Sequence, residues 1–275
     1  MSKDTYDIRS RWLPDGEGPD DIADRSLRTL DQLKTINPTI SNWRIIDWSN
    51  WTDVALAEVR SQMPAFVAQN VHRHYEDNLP DPSGGYLMFA KSADEPGAGW
   101  SPNMSHLDIT AGSKRSNSLD FSVGSLEAPP DLSLVTYPLY RQALEIIASN
   151  WPVPWGWARC MHWSDVPSKS WTPPPAGSTK EEWLASMAAV QPPGPIEMLW
   201  ILYLSAPFVR GLAPPSELKC DPTPGGGVIL SAMLERPDPN NADHMRRARL
   251  LGQILEERIG EGRYPALWGP RIGPY

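Results

Sequence analysis

Polar and apolar residues alternate through residues 5–13, with Tyr6, Ile8 and Trp12 on the apolar side after one slip, and this period of two predicts a strand. The period then changes. Ile22, Leu27, Leu30 and Leu33 recur at helical spacing over residues 19–35, and Asn37-Pro38 marks the stop. A strand follows at 42–48, with Ile46 and Trp48 on one face and Trp43 and Ile45 toward the other. Thr52 reads as the N-cap of a helix that runs from Asp53 into Pro64, restarts there and continues through Phe66, Val67 and Val71 to about Asn78. Short strands are predicted at 85–90, 105–110 and 118–123. The last two form a hairpin through the turn from Gly112 to Asn117.

A second series begins after Pro129-Pro130. It predicts a strand at 132–137 and a helix opened by Pro138 that carries Leu139, Ala143, Leu144, Ile147 and Trp151. Strands at 156–163, 197–205 and 227–234 and a short helix at 180–187 come next. The final helix, 242–259, bears Met245, Leu250, Leu251, Ile254, Leu255 and Ile259, with Gly260 as its C′ residue. The fold class expected is α+β, a mixed or antiparallel sheet with flanking helices. No long polar linker divides the chain, so residues 1–275 are expected to form one unit. The two series share an outline of helix, Asn/Pro stop and Trp-bearing strand ending in Trp-Ser, at Leu30 to Ser49 and again at Leu144 to Ser164. This suggests duplicated halves, 1–128 and 129–275.

Composition adds two points. Proline is 30 of 275 residues, about twice the usual ~5%, so loops and short elements are many. Tryptophan is 13 against only 4 Phe, which gives each short element a large area to bury or an anchor for an interface. The formal charge is −8, and the sequence pI near 5.2 disfavours a nucleic-acid binder or an anionic-membrane binder. Cys160 and Cys220 are the two cysteines, without metal-ligand spacing, which fits a reducing compartment. MSKDTYDIRS lacks the apolar region of a signal peptide, and the apolar run 198–209 is short of the ~20 residues a membrane span needs. A cytoplasmic protein is expected.

Candidate chemistry is sparse. His72 and Glu76 would converge on a helix, but two ligands fall short of the usual three or four; His74 points away. Cys160 and His162 share a strand face beside Trp157 and Trp163, without a third group to orient them, so they read as core. Glu217-Leu-Lys219 echoes half of a nuclease motif but follows Pro214-Pro215, a loop signal. Gly225-Gly226-Gly227 leads into a strand rather than a helix and reads as a turn, not a phosphate loop. No catalytic residue, metal or cofactor is assigned. An inhibitor of another protein, a Trp-rich carbohydrate-binding module and an enzyme with an unrecognised site all fit these observations.

One stretch narrows the choice. Tyr6-Asp-Ile-Arg-Ser-Arg-Trp-Leu precedes a Pro/Asp-rich turn, then come Ala23, Arg25, Leu27, Leu30 and Leu33, Ile36-Asn-Pro38 and Trp43. This pattern resembles the immunity protein 52 family of bacterial polymorphic-toxin loci, and Leu250-Leu251 to Arg258 with Trp268-Gly269-Pro270 fits it too. The resemblance implies a non-enzymatic antidote to a toxin, often a nuclease of restriction-endonuclease fold delivered by type VI secretion. The acidic charge agrees in direction, since a phosphate-gripping toxin is basic around its site. The expected partner is therefore a cognate toxin, with neither nucleic acid nor membrane. Proline-bounded loops and acidic turns are the candidate surfaces: Asp94, Glu95 and Trp100; Asp165 and Trp171; and the turn carrying Asp15, Glu17, Asp20, Asp21 and Asp24, which would equally serve to cap the following helix.

Overall fold

The residue pattern at the N-terminus is realised as strand β1 (Tyr6–Trp12), and its place in the fold is central. The computed structural model describes residues 6–13, 15–47, 52–73, 79–81, 84–98, 101–114, 117–124, 130–160 and 198–263. Helix α1 (Pro19–Ile36) follows β1, then a short 3-10 turn (Pro38–Ile40) and strands β2 (Trp43–Asp47) and β3 (Thr52–Ala55). A broken helical stretch comes next, α2 (Leu56–Val59) and α3 (Met63–Gln69). Strands β4 (Tyr86–Ser92), β5 (Ser105–Ala111) and β6 (Asn117–Val123) complete the first part. Helix α4 (Tyr137–Asn150), β7 (Trp155–Cys160), β8 (Ile201–Leu204), α5 (Ala206–Val209), β9 (Lys219–Pro222), β10 (Val228–Ser231) and α6 (Ala242–Arg263) make up the rest.

Among the described residues ten strands form one sheet in the order β3-β2-β4-β5-β6-β1-β7-β8-β10-β9, with every neighbouring pair antiparallel. The α+β class is as expected, and the sheet is antiparallel rather than mixed. Because β1 lies between β6 and β7, the boundary expected near residue 128 falls within a continuous run of paired strands. The order does not show the repeat. Helix α1 carries the chain from β1 to a strand four places away, whereas α4 carries it from β6 to one two places away.

Helices α1 and α4 lie on one face. Tyr6, Ile8, Ser10 and Trp12 of β1 point there, together with Leu119 and Phe121 of β6 and Leu107 and Ile109 of β5, all buried. Trp12 packs its ring against Trp151, whose Nε1 donates to Thr29 Oγ1 in α1, and Tyr140 of α4 donates to the Tyr6 carbonyl at 3.0 Å. At the β7–β8–β10 end both faces are buried. There Phe208 of α5 meets the ring of Trp155 on the second face, and Arg258 of α6 donates to the carbonyls of Arg210 and Gly211.

Several expectations are corrected. Thr52 and Asp53 start no helix but lie in edge strand β3, where Asp53 pairs with Ile46 in register. The helix expected to reach Asn78 ends at Gln69, and Val71 and Arg73 form β-bridges with Tyr86 and Pro80 instead. Residues 132–136 are a turn, not a strand. Asp131 Oδ1 accepts the Ser133 N–H there, and Thr136 caps α4. Gly260 does not end the last helix, which continues to Arg263. The predicted helix at 180–187 lies outside the described residues.

Candidate functional site

The face of the sheet opposite α1 and α4 carries two aligned rows of mostly polar side chains. Antiparallel register aligns Arg44, Lys91, His106, Ser122, Asp7 and Arg159 across β2, β4, β5, β6, β1 and β7. The adjacent row runs Phe89, Asp108, Asp120, Arg9 and Trp157. Since side chains alternate across a strand, every member of both rows projects from this same face. Among the described residues no helix covers its β4–β5–β6–β1 part.

The rows are knitted by ion pairs. Asp7 accepts from Arg9 Nε at 2.7 Å and from Arg159 Nε at 3.1 Å, and Arg9 Nε also stands 3.3 Å from Asp120 Oδ1. Ser122 Oγ lies 2.8 Å from His106 Nε2, and Phe89 stacks on the imidazole with ring centroids 5.6 Å apart. Burial pushes His106 down to about 4, against the opposing pull of the Asp7 charge. The ring is therefore neutral at pH 7 and holds a proton too weakly to be an effective general base for Ser122. The pair works as a hydrogen bond between strands. Asp108 is exposed and faces Asp120 in register; its carboxyl is pushed upward, by burial first and then by the Asp120 charge.

At the β3 edge the first row ends in a buried ionic knot. The Asp53 carboxylate, 3% exposed, accepts from Arg44 Nε and Lys91 Nζ, each at 2.7 Å. The Gly97 N–H reaches both its oxygens, at 3.2 and 3.1 Å, and Lys91 Nζ also donates to the Ala98 carbonyl at 2.8 Å. Burial works to raise the Asp53 pKa, but Lys91, Arg44 and the Gly97 amide together hold it below the usual carboxylate value. The effect is to fasten the backbone of residues 93–98. Asp94 and Glu95 stand exposed on that loop, with Asp94 Oδ1 accepting from Asn42 Nδ2 at 2.6 Å. Trp100, Asp165 and Trp171 lie outside the described residues.

The acidic turn before α1 divides in two. Asp15, Asp20, Asp21 and Asp24 are exposed; Asp24 pairs with Arg28 at 2.9 Å, Asp15 stands 3.9 Å from Arg25, and Asp21 Oδ2 accepts the Gly18 N–H. Glu17 is the exception and corrects its reading as a contact residue. Its side chain is 2% exposed, accepts from Trp12 Nε1 at 3.1 Å and is ion-paired to Arg25, so it serves the fold. The structure does not bring the two acidic surfaces together. The turn lies by Gly112, where β5 meets its hairpin, whereas the 93–98 loop follows the opposite end of β4.

Other flagged residues take structural places. Cys160 is buried in β7, and His162 lies outside the described residues. His72 sits in extended chain after α3, so the helical convergence with Glu76 (itself outside the described residues) does not arise. Glu217 is in a turn, and Lys219 pairs with Asp221 at 3.0 Å on β9. The three glycines form the β9–β10 turn, as expected, with Gly226 at φ +77°. The tryptophans described, Trp12, Trp43, Trp151, Trp155, Trp157 and Trp200, are all buried, so none of them offers an exposed platform for a sugar ring.

Sequence reasoning missed the rows on this face. The available signal was the polar half of each alternation, Asp7-Arg9-Arg11 in β1 and His106-Asp108 in β5, which reads as ordinary solvated surface until pairing sets the register.

The molecule defined by these features is an α+β protein built on one wide antiparallel sheet. No family model matches the chain, and no curated protein matches it. Among solved structures it is similar to the Pseudomonas aeruginosa T6SS protein PA0821, at 14% identity and a TM-score of 0.47, over 98% of this chain and 73% of that one. Among the described residues no helix is long and apolar enough to cross a membrane. The functional reading rests on the residues of this chain.

Proposed function

We propose that this protein binds and neutralises a cognate secreted toxin through a stoichiometric protein–protein complex, without making or breaking a covalent bond itself. The toxin class that fits is a nuclease of restriction-endonuclease fold delivered by type VI secretion, and the complex forms in the cytoplasm. The observation that carries the reading is the 93–98 loop. Two exposed carboxylates, Asp94 and Glu95, ride on a backbone fixed by buried Asp53 and Lys91. A loop ordered before binding loses less entropy on association, and exposed acids speed encounter with a basic partner. Asp15, Asp20, Asp21 and Asp24 add negative charge at the other end of the sheet, and the chain as a whole carries −8. The N-terminal resemblance to the immunity protein 52 family supports the same reading.

The test is co-expression with the product of the adjacent gene. Restored growth of toxin-expressing cells together with a co-purifying equimolar pair is the expected result. Growth arrest despite full expression of this chain, or turnover of a substrate by the purified chain alone, would refute the reading.

A further inference from the structure

A cleft of about 470 Å³ lies between the end of α1, the turn of α2 and the root of the 93–98 loop, a size that suits a small molecule. Its apolar lining is Trp43, only 4% exposed, with Leu56, Ala57 and Ala93. Its charges stand on two sides. Lys34 of α1 and Arg60, just after α2, come from the helical side, and Asp94 comes from the loop; all three are exposed. Asp31 joins the two cations. Its Oδ1 accepts from Lys34 Nζ at 3.1 Å and from Arg60 Nη1 at 3.0 Å, and its Oδ2 accepts from Arg60 Nη2. One carboxylate thus answers two cations, and both the ammonium and the guanidinium keep N–H donors to spare. Asp94 is the converse. Its Oδ1 accepts from Asn42 Nδ2 at 2.6 Å, and its Oδ2 has no partner among the described residues. Arg44, also on the wall, is taken up by Asp53.

We infer that this cleft binds a free α-amino acid with an apolar side chain. The ligand carboxylate takes the spare donors of Lys34 and Arg60, its ammonium takes Asp94 Oδ2, and its side chain lies against Trp43 and Leu56. The charges favour this class over its neighbours. Lys34 and Arg60 together exceed Asp31 by one positive charge, and Asp94 opposite supplies one negative charge. A ligand with a single charge answers one side and leaves the other, whereas a zwitterion answers both. An inorganic ion would leave the apolar lining unused. Two contacts hold the walls ready: Asp31 with Arg60 ties α1 to the chain after α2, and Asn42 with Asp94 ties the approach to β2 to the loop. This inference goes beyond toxin neutralisation and does not rest on it.

The test is an NMR titration of the uncomplexed full-length protein with L-phenylalanine and with L-leucine, read at the indole N–H of Trp43. That N–H makes no hydrogen bond among the described residues, and Trp43→Phe assigns its resonance. A saturable shift with at least one of the two is expected. The N-acetyl form of that amino acid, which lacks the ammonium, and its amide, which lacks the carboxylate, should each bind about threefold or more weakly. Asp94→Asn should weaken the free amino acid by about threefold and leave its N-acetyl form unchanged, and Lys34→Gln with Arg60→Gln should weaken the free amino acid and leave the amide unchanged. No saturable shift with either amino acid, capped forms that bind as tightly as the free one, or variants that bind it like wild type would each overturn the site. The toxin is absent from this assay, so its failure leaves the neutralisation reading standing.

Discussion

Lys91 Nζ lies 2.7 Å from Asp53 Oδ2, which ties the edge strand β3 to β4 across the intervening β2. The same carboxylate binds Arg44, so one buried anion serves two cations. Removing it in Asp53→Ala leaves both without a counter-charge, and the expected cost is about 3–5 kcal/mol in chemical denaturation. Exchange of the Gly97 amide should accelerate in step. The folded pKa of Asp53 is held below 3.8, so its stabilisation is present above 3.8 and is lost as pH falls through the folded value. An acid-unfolding profile should lose this low-pH contribution in Asp53→Asn.

Glu17 provides a contrast of opposite sign. Burial raises its pKa above 4.5, Asp15 adding to that, while Trp12 and Arg25 pull the other way. Its contribution is therefore complete below 4.5 and diminishes as pH rises through the folded value. Glu17→Ala strands the Trp12 Nε1 and Arg25 donors and should cost about 2–4 kcal/mol, whereas Glu17→Gln keeps an acceptor and should cost about 1 kcal/mol. As pH rises from 4.5, the stability gap should move in favour of Glu17→Gln, which denaturation at several pH values measures.

Gly85 enters β4 at φ +85°, and a Cβ there would lie 2.5 Å from the Ala111 carbonyl oxygen. Both the left-handed backbone and the contact exclude a side chain. Gly85→Ala should destabilise by about 2 kcal/mol or more and lower the thermal midpoint, while Gly97→Ala, at φ +67° with open space around it, should cost about 1 kcal/mol.

Charge reversal at the exposed loop separates binding from stability. Asp94→Lys with Glu95→Lys should leave the denaturation midpoint within about 0.5 kcal/mol of wild type. The association rate with a basic toxin should fall about tenfold or more at low salt, and the difference should shrink as salt is added. Stopped-flow association at several ionic strengths provides the readout.

The elements most legible in the sequence are those whose signals are local. Helix α1 has Pro19 inside its start and Asn37-Pro38 after its end, and β5–β6 is a hairpin with clean alternation on both arms. The failures share a cause. Thr52-Asp53 has the chemistry of a helix cap, but the Asp53 carboxylate finds Arg44 and Lys91, and that distant pairing outweighs the local preference. Gly260 has the chemistry of a helix end, yet a glycine within a helix costs only about 1 kcal/mol, and α6 runs through it. The aligned polar rows depend on the register of six strands, a quantity no single segment encodes. Among the acidic residues, Asp94 and Glu95 are exposed, whereas Glu17 is indistinguishable in sequence from its neighbours because burial, not spacing, sets it apart.

The position of β1 has a consequence for how the molecule is made. Strand β1 is made well before β6 and β7, which flank it in the finished sheet, and the ion pair from Asp7 to Arg159 spans 152 positions. Synthesis proceeds at roughly 5–20 residues per second, so β1 waits about 7 to 30 seconds before its second neighbour exists. Closing so distant a pairing makes for slow maturation. A nascent-chain protease assay should find β1 cleavable until residue 160 has cleared the exit tunnel.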